Sequence, residues 1–232
     1  MSRQGTLLIY FGYGLLAFLA VYCGLFVFRS LIVTFVLFHL LVCFGIPIFH
    51  GIWEGRLKTN LRDLGVSRPE LLKDSLVAGI GSGAVLMFGV IAGFYLILQA
   101  GVDPNWIRLV LIQWGLTRNW FWIFVMYMII GNSFMEELMW RGFLLERLQR
   151  IVSLTGARAI SSFFYASYHV LVGVVLFGWK WGFIVALLAW VLGMFWSLLV
   201  GRYASLLSSW LSHMMVDVGI MISLIHWIMD GG

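Results

Sequence analysis

Runs of about twenty apolar residues recur along this chain, and that is the length an α-helix needs to cross a hydrocarbon core of about 30 Å. Backbone polar groups in lipid find no water, so each run is read as a helix that satisfies its own N–H and C=O groups. Seven such spans follow, at about 6–28, 31–53, 75–99, 119–141, 158–178, 181–200 and 204–229. With 62% hydrophobic and 11% charged residues, and a mean hydropathy of +0.99, the chain exceeds what any soluble core requires. The expected fold class is all-α: a polytopic transmembrane helical bundle of about seven spans (six to eight), with amphipathic interfacial helices beside them. Residues 1–74 read as an N-terminal two-span region with a basic linker, and 75–232 as a helical core that would carry the chemistry.

The connections carry the remaining charge. Glu54 to Asp74 holds Arg56, Lys58, Arg62, Arg68 and Lys73 among four acids, with leucines at helical spacing. It reads as an amphipathic segment on the membrane surface, broken by Gly65 and Pro69. Val102 to Thr117, with Trp106 and Trp114, reads as an interfacial loop or helix. Arg3, the Arg56–Lys73 group, Arg147, Arg150, Arg158 and Arg202 fall on one side, against Arg29, Arg108, Arg118 and Lys180 on the other. Positive charge favours the inner face, so the N-terminus is expected inside and the C-terminus outside.

A net charge of +5 spread over loops forms no basic stripe, which argues against nucleic-acid binding. The first apolar run is too long for a signal-peptide core, and Tyr22 before Cys23 does not suit a lipoprotein site. Cys23 and Cys43 lie within apolar runs and give no disulfide framework. Gly79, Gly83, Gly89 and Gly93 make two small-xxx-small pairs that would let the third span approach a neighbour closely.

Against this background Asn132-Ser-Phe-Met-Glu136-Glu137-Leu-Met-Trp-Arg141-Gly142 is anomalous, because it places two carboxylates and a guanidinium in a span. Ionisable groups at such depth are costly and mark function by default. Glu137 and Arg141, four residues apart, share a helix face, while Glu136 points about 100° away and is left free for chemistry. His169 in the fifth span and His213 with Asp217 in the seventh lie at a similar depth, about 15 Å from the inner helix ends. His213 and Asp217 are i and i+4 and face the same way. His39, His50 and His226 stand near helix ends or without a carboxylate neighbour, and read as satisfied or interfacial histidines.

A carboxylate beside a neutral imidazole can hold a water and remove its proton, while a second imidazole stabilises an oxyanion. Peptide hydrolysis suits these parts. No serine or cysteine has an obvious base, since consecutive helix residues such as Ser212 and His213 diverge. Glu136, His169 and His213 are also a conceivable zinc set, although no H-E-x-x-H is present and no cofactor is expected. Two further readings stand: a non-catalytic scaffold or immunity protein using the cluster for packing, and a proton-relaying transporter. No inverted repeat supports the latter.

The spaced motifs resemble the CPBP (Abi, or CAAX protease and bacteriocin-processing) family of intramembrane glutamic endopeptidases. Its E-E-x-x-x-R is met by Glu136, Glu137 and Arg141, its F-x-x-x-H by Tyr165 and His169 with tyrosine for phenylalanine, and its H-x-x-x-N/D by His213 and Asp217. Leu61-Arg-Asp-Leu-Gly-Val66 resembles a segment that precedes the family's catalytic core. The resemblance implies that Glu136 with His169 activates water, that His213 and Asp217 stabilise the oxyanion, and that Glu137 and Arg141 orient the site. An ionised Asp217 would repel an oxyanion, so it is either protonated or orients His213. The implied partners are the lipid bilayer and a peptide or protein substrate, lipidated or otherwise membrane-bound. The implied location is a bacterial cytoplasmic membrane. Hydrolysis consumes water, so a polar cavity open to the inner side is expected between the helices bearing Glu136, His169 and His213.

Overall fold

The computed structural model describes residues 3–55 and 69–229. Most of the basic amphipathic segment, and the Leu61–Val66 motif with it, lies outside the described residues. Among the described residues, seven helices are long and apolar enough to cross a membrane: α1 Arg3–Val27, α2 Leu31–Trp53, α3 Leu72–Gln99, α5 Phe121–Leu148, α6 Leu154–Phe177, α7 Trp179–Tyr203 and α8 Leu207–Met229. A shorter helix, α4 Pro104–Gln113, joins α3 to α5. This is an integral, multi-pass, all-α membrane protein.

The helix ends follow local chemistry. Ser30 caps α2 by accepting from the Val33 N–H, and Ser153 caps α6 by accepting from the Gly156 N–H. Asp103 caps α4 ahead of Pro104, whose missing N–H costs nothing at a first helical position. Gly178, at φ +81°, makes the sharp reversal from α6 to α7. These signals shift the expected bounds: α5 continues to Leu148, α6 begins at Leu154 and α8 at Leu207. His169 consequently lies past the middle of its helix, whereas His213 lies within the first two turns of its own. Equal counting from the inner ends is thus corrected, because the helices are offset along the bundle.

Packing depends on close backbone approach, as it must where lipid supplies no hydrophobic drive between helices. A Cβ on Gly79 would lie 2.8 Å from the Ser208 carbonyl oxygen, and one on Gly83 would lie 2.8 Å from Met215 Cβ, so α3 presses directly on α8. Gly89 and Gly93 face open space, so only the first small-residue pair packs as expected. Gly173 meets Gly182 where α6 crosses α7, and Gly14 leaves room for the Phe164 ring where α1 crosses α6.

Polar contacts tie the two ends of the bundle. The α4 helix pins its neighbours: Trp106 Nε1 donates to Val175 O at 2.8 Å and Arg108 Nη2 to Met229 O at 3.0 Å. At the opposite end, Arg147 Nη2 donates to Glu54 Oε1 at 2.7 Å, His50 Nδ1 lies 3.3 Å from the same oxygen, and His50 Nε2 meets the Tyr13 hydroxyl at 2.7 Å. This clasp joins α1, α2 and α5. Burial pushes the Glu54 carboxyl up, but the hydrogen bond and charge of Arg147, joined by His50, outweigh it and hold the group below its usual range.

Candidate active site

Helix α5 is not regular. Ser133–Glu137 keeps the ordinary i→i+4 pattern, but Tyr127–Asn132 before it and Leu138–Leu145 after it bond i→i+5 in wider turns. Such turns are rare and recur at functional sites. Helix α2 has a similar stretch at Phe35–Gly45. The Glu136–Glu137 pair is therefore held on one tight turn between two loosened ones, with α2, α6, α7 and α8 around it.

Glu137 is wholly buried and its Oε1 accepts from Arg141 Nη1 at 2.8 Å, as the four-residue spacing predicts. The same oxygen lies 3.0 Å from His213 Nδ1. An ionised carboxylate only accepts, so His213 donates from Nδ1 and turns Nε2 toward Glu136. The Arg141 guanidinium lies over the rings of Tyr165 and Trp196, with carbon-to-centroid distances of 4.6 and 5.1 Å. Gly193 of α7 makes that placement feasible, since a Cβ there would stand 3.1 Å from Arg141 Nη2. Trp196 also stacks on His213, with centroids 4.1 Å apart and planes at 15°, and fixes itself by donating to Ser212 Oγ. The imidazole of His213 is held on its edge by Glu137 and on its face by Trp196.

Glu136 is 3% exposed and is not free, in contrast to the sequence reading. Its Oε1 accepts from the Tyr168 hydroxyl at 2.9 Å, and its Oε2 lies 3.5 Å from His213 Nε2. Around His213 Nε2 also stand the Tyr165 hydroxyl at 3.5 Å and Asp217 Oδ2 at 4.0 Å. Asp217 Oδ2 accepts from Asn132 Nδ2 at 3.0 Å, so its nearest polar partner is Asn132 and not His213. His169 directs Nδ1 to the Tyr165 carbonyl at 2.8 Å, which leaves Nε2 as the nitrogen with a lone pair to offer. Among the described residues, no hydrogen bond joins His169 to Glu136; the Tyr168 ring, 4.6 Å centroid to centroid from His169, stands beside both.

All six anticipated residues thus gather in one region, and the structure adds others that sequence reasoning passed over. His39, read as a satisfied histidine, is 3% exposed with its Nε2 4.0 Å from Glu136 Oε1. Asn132 stands one turn before Glu136, a spacing that could have flagged it. Tyr168 and Trp196 carried no signal, because an aromatic residue in an apolar span is ordinary.

One expectation needs correction. Glu136, Glu137, His213 and Asp217 are each 3% exposed or less, so the cluster is closed and not a water-filled cavity open inward. The rings of Phe38, Tyr165, Tyr168 and Trp196 close it, and only His169 is partly exposed. Two cavities lie elsewhere, one lined by Arg3, Gln4, Leu7, Ile151 and Val152, the other by Leu25, Arg29, Trp106 and neighbours. Among the described residues, no three His, Cys, Asp or Glu side chains are already arranged as metal ligands, and His169 donates Nδ1–H to a carbonyl while Nε2 stays without a bond.

Comparison with known proteins adds one match. Residues 118–219 match a family model described as Type II CAAX prenyl endopeptidase Rce1-like. No curated protein and no solved structure matches the chain. The matched segment contains Glu136, Glu137, Arg141, His169, His213 and Asp217, while His39 lies outside it. Rce1-like proteins are CAAX-type membrane proteases within the wider CPBP, or Abi, group, and over residues 118–219, a little under half of its length, this chain is similar to that family.

Proposed function

We propose that this protein is an intramembrane endopeptidase that hydrolyses a peptide bond in a membrane-associated, CAAX-type or similarly processed substrate, using a water activated by Glu136 and His169. The observation that carries the reading is the chain of contacts Arg141–Glu137–His213–Glu136, which orders two carboxylates and an imidazole within one enclosed site. Packing alone needs no such order.

The parts support a division of labour. His169, with Nδ1–H spent on a backbone carbonyl, presents Nε2 as an acceptor for a proton, and the Glu136 carboxylate is the second acceptor for a water between them. As the water attacks, charge develops on the scissile carbonyl oxygen, and a donor must face it. His213 can donate from Nε2 only when both ring nitrogens carry protons, because Nδ1–H is held by Glu137. Glu137, fixed by Arg141, sustains that form. Asp217 would act beside Asn132, whose amide supplies a second donor near the same place. No metal is assigned a step. The site would sit in a bacterial cytoplasmic membrane with the N-terminus inside, the substrate approaching from the inner leaflet.

Cleavage of a fluorogenic prenylated peptide by the purified protein tests this. Glu136→Gln and His169→Ala should each lower turnover by about 100-fold or more, since an acid–base pair works as a unit. Exhaustive chelation should leave turnover unchanged. Near wild-type cleavage by either folded variant would sink the assignment, and loss on chelation with recovery on added zinc would reassign Glu136, His169 and His213 as ligands.

A further inference from the structure

We propose that His39, on a helix outside the family-matched segment, is a positioning residue that holds Glu136 Oε1 and so leaves Oε2 as the oxygen that receives the proton from water. This deepens the protease reading and rests on it. Three features of the geometry point to the role.

First, His39 is buried without being idle. Its Nδ1 lies 2.7 Å from the Tyr127 hydroxyl and its Nε2 faces Glu136 Oε1 at 4.0 Å. When the tyrosine donates to Nδ1, the proton of the neutral ring is on Nε2 and is turned toward the carboxylate, which it meets as an electrostatic contact longer than a direct hydrogen bond. Second, the ring cannot swing. Phe35 stacks on it at 5.4 Å and 20°, and Phe38 packs at 4.7 Å. Third, the two oxygens of Glu136 face different company: Oε1 meets the Tyr168 hydroxyl and His39, whereas Oε2 meets His213 Nε2. Donors on one oxygen fix the carboxylate rotamer and leave the other turned to the reaction. The wide turns of α2 and α5 matter here, because both His39 and Tyr127 lie on them. The titratable groups that His39 meets are Glu136 and Tyr127, both from α5.

Kinetics of the full-length protein separate positioning from packing. His39→Phe keeps an aromatic ring but removes the donor, and should lower kcat by about 10- to 100-fold with KM within about twofold. His39→Gln offers an amide N–H near the position of Nε2 and should recover much of that loss. Tyr127→Phe should lower kcat less, and the double variant with His39→Phe should be no worse than His39→Phe alone, because the hydroxyl acts only through the imidazole. Wild-type kcat in His39→Phe, or Gln performing no better than Phe, would overturn the proposal. An infrared readout is independent of turnover: the Glu136 carboxylate band, identified by its loss in Glu136→Gln, should shift in His39→Phe and stay put in His39→Gln. An unshifted band overturns the positioning role even if the protease reading stands, and a shifted band upholds it even if peptide cleavage fails.

Discussion

At the scale of single residues, Arg141 shows how much of the site depends on shape as well as charge. Its guanidinium donates to Glu137 while standing over the rings of Tyr165 and Trp196, all inside a region closed to solvent. Removing one partner from such a pair strands the other charge, at a cost of about 3–5 kcal/mol. A lysine supplies charge but neither the planar fork nor the ring contact. Arg141→Lys should therefore lower the thermal midpoint of the protein and cut turnover at least tenfold, as measured by scanning fluorimetry and peptide cleavage. A midpoint and turnover equal to wild type would show that charge alone suffices. The Glu137–Arg141 pairing was legible in the sequence because both partners lie on one helix. His39 was not, since its partners are on α5 and nothing in an apolar run announces a contact with another span. Asp217 was visible as a position, but its pairing with Asn132 depended on how α5 and α8 face each other.

At the scale of helices, the crossing of α3 on α8 sets where His213 stands. Ser82 Oγ donates to Ser212 Oγ at 3.1 Å, next to His213, and Gly83 allows the helices to come that close. An added methyl at Gly83 would meet Met215 Cβ at 2.8 Å, so α8 would have to shift. Gly83→Ala should cost about 1–3 kcal/mol through overpacking and reduce cleavage as His213 moves, while Gly89→Ala should leave stability and activity unchanged. Circular dichroism melts in detergent check both, and equal behaviour of the two variants would refute the crossing. Sequence spacing marked both glycine pairs alike, because a small-xxx-small pattern says that close approach is permitted, not that a partner is present. The spans themselves were legible because twenty apolar residues leave little choice. The i→i+5 stretches were not, since wide turns differ from ordinary ones by a residue of register and leave no compositional trace.

At the scale of the whole molecule, an odd number of spans puts the described ends of the chain on opposite faces, and the basic loops predict which face is which. Lys73 and Arg150 are exposed at one end of the bundle and Arg118 at the other. In a background with Cys23→Ala and Cys43→Ala, cysteines at positions 73 and 150 should react with an impermeant probe only after the cytoplasmic face is opened. A cysteine at 118 should react from outside intact cells. The reverse pattern would invert the protein and move the substrate approach to the outer leaflet.

The closure of the polar cluster bears on turnover as a whole. Glu136 and His213 lie within a sealed interior, so neither peptide nor water can engage them until helices part. Hydrolysis then becomes two steps in series, and the observed rate is the intrinsic rate scaled by the fraction of molecules that stand open. A hundredfold scarcity of open molecules is equivalent to about 2.7 kcal/mol on the barrier, comparable to losing a good hydrogen bond at the reacting centre. Bilayer thickness and tilt act on helix packing at fractions of a kcal/mol per Å of mismatch, which brings them within reach of that balance. On the proposed protease reading, the surrounding lipid thus becomes a determinant of turnover in its own right, and the same polypeptide should work at different speeds in membranes of different thickness.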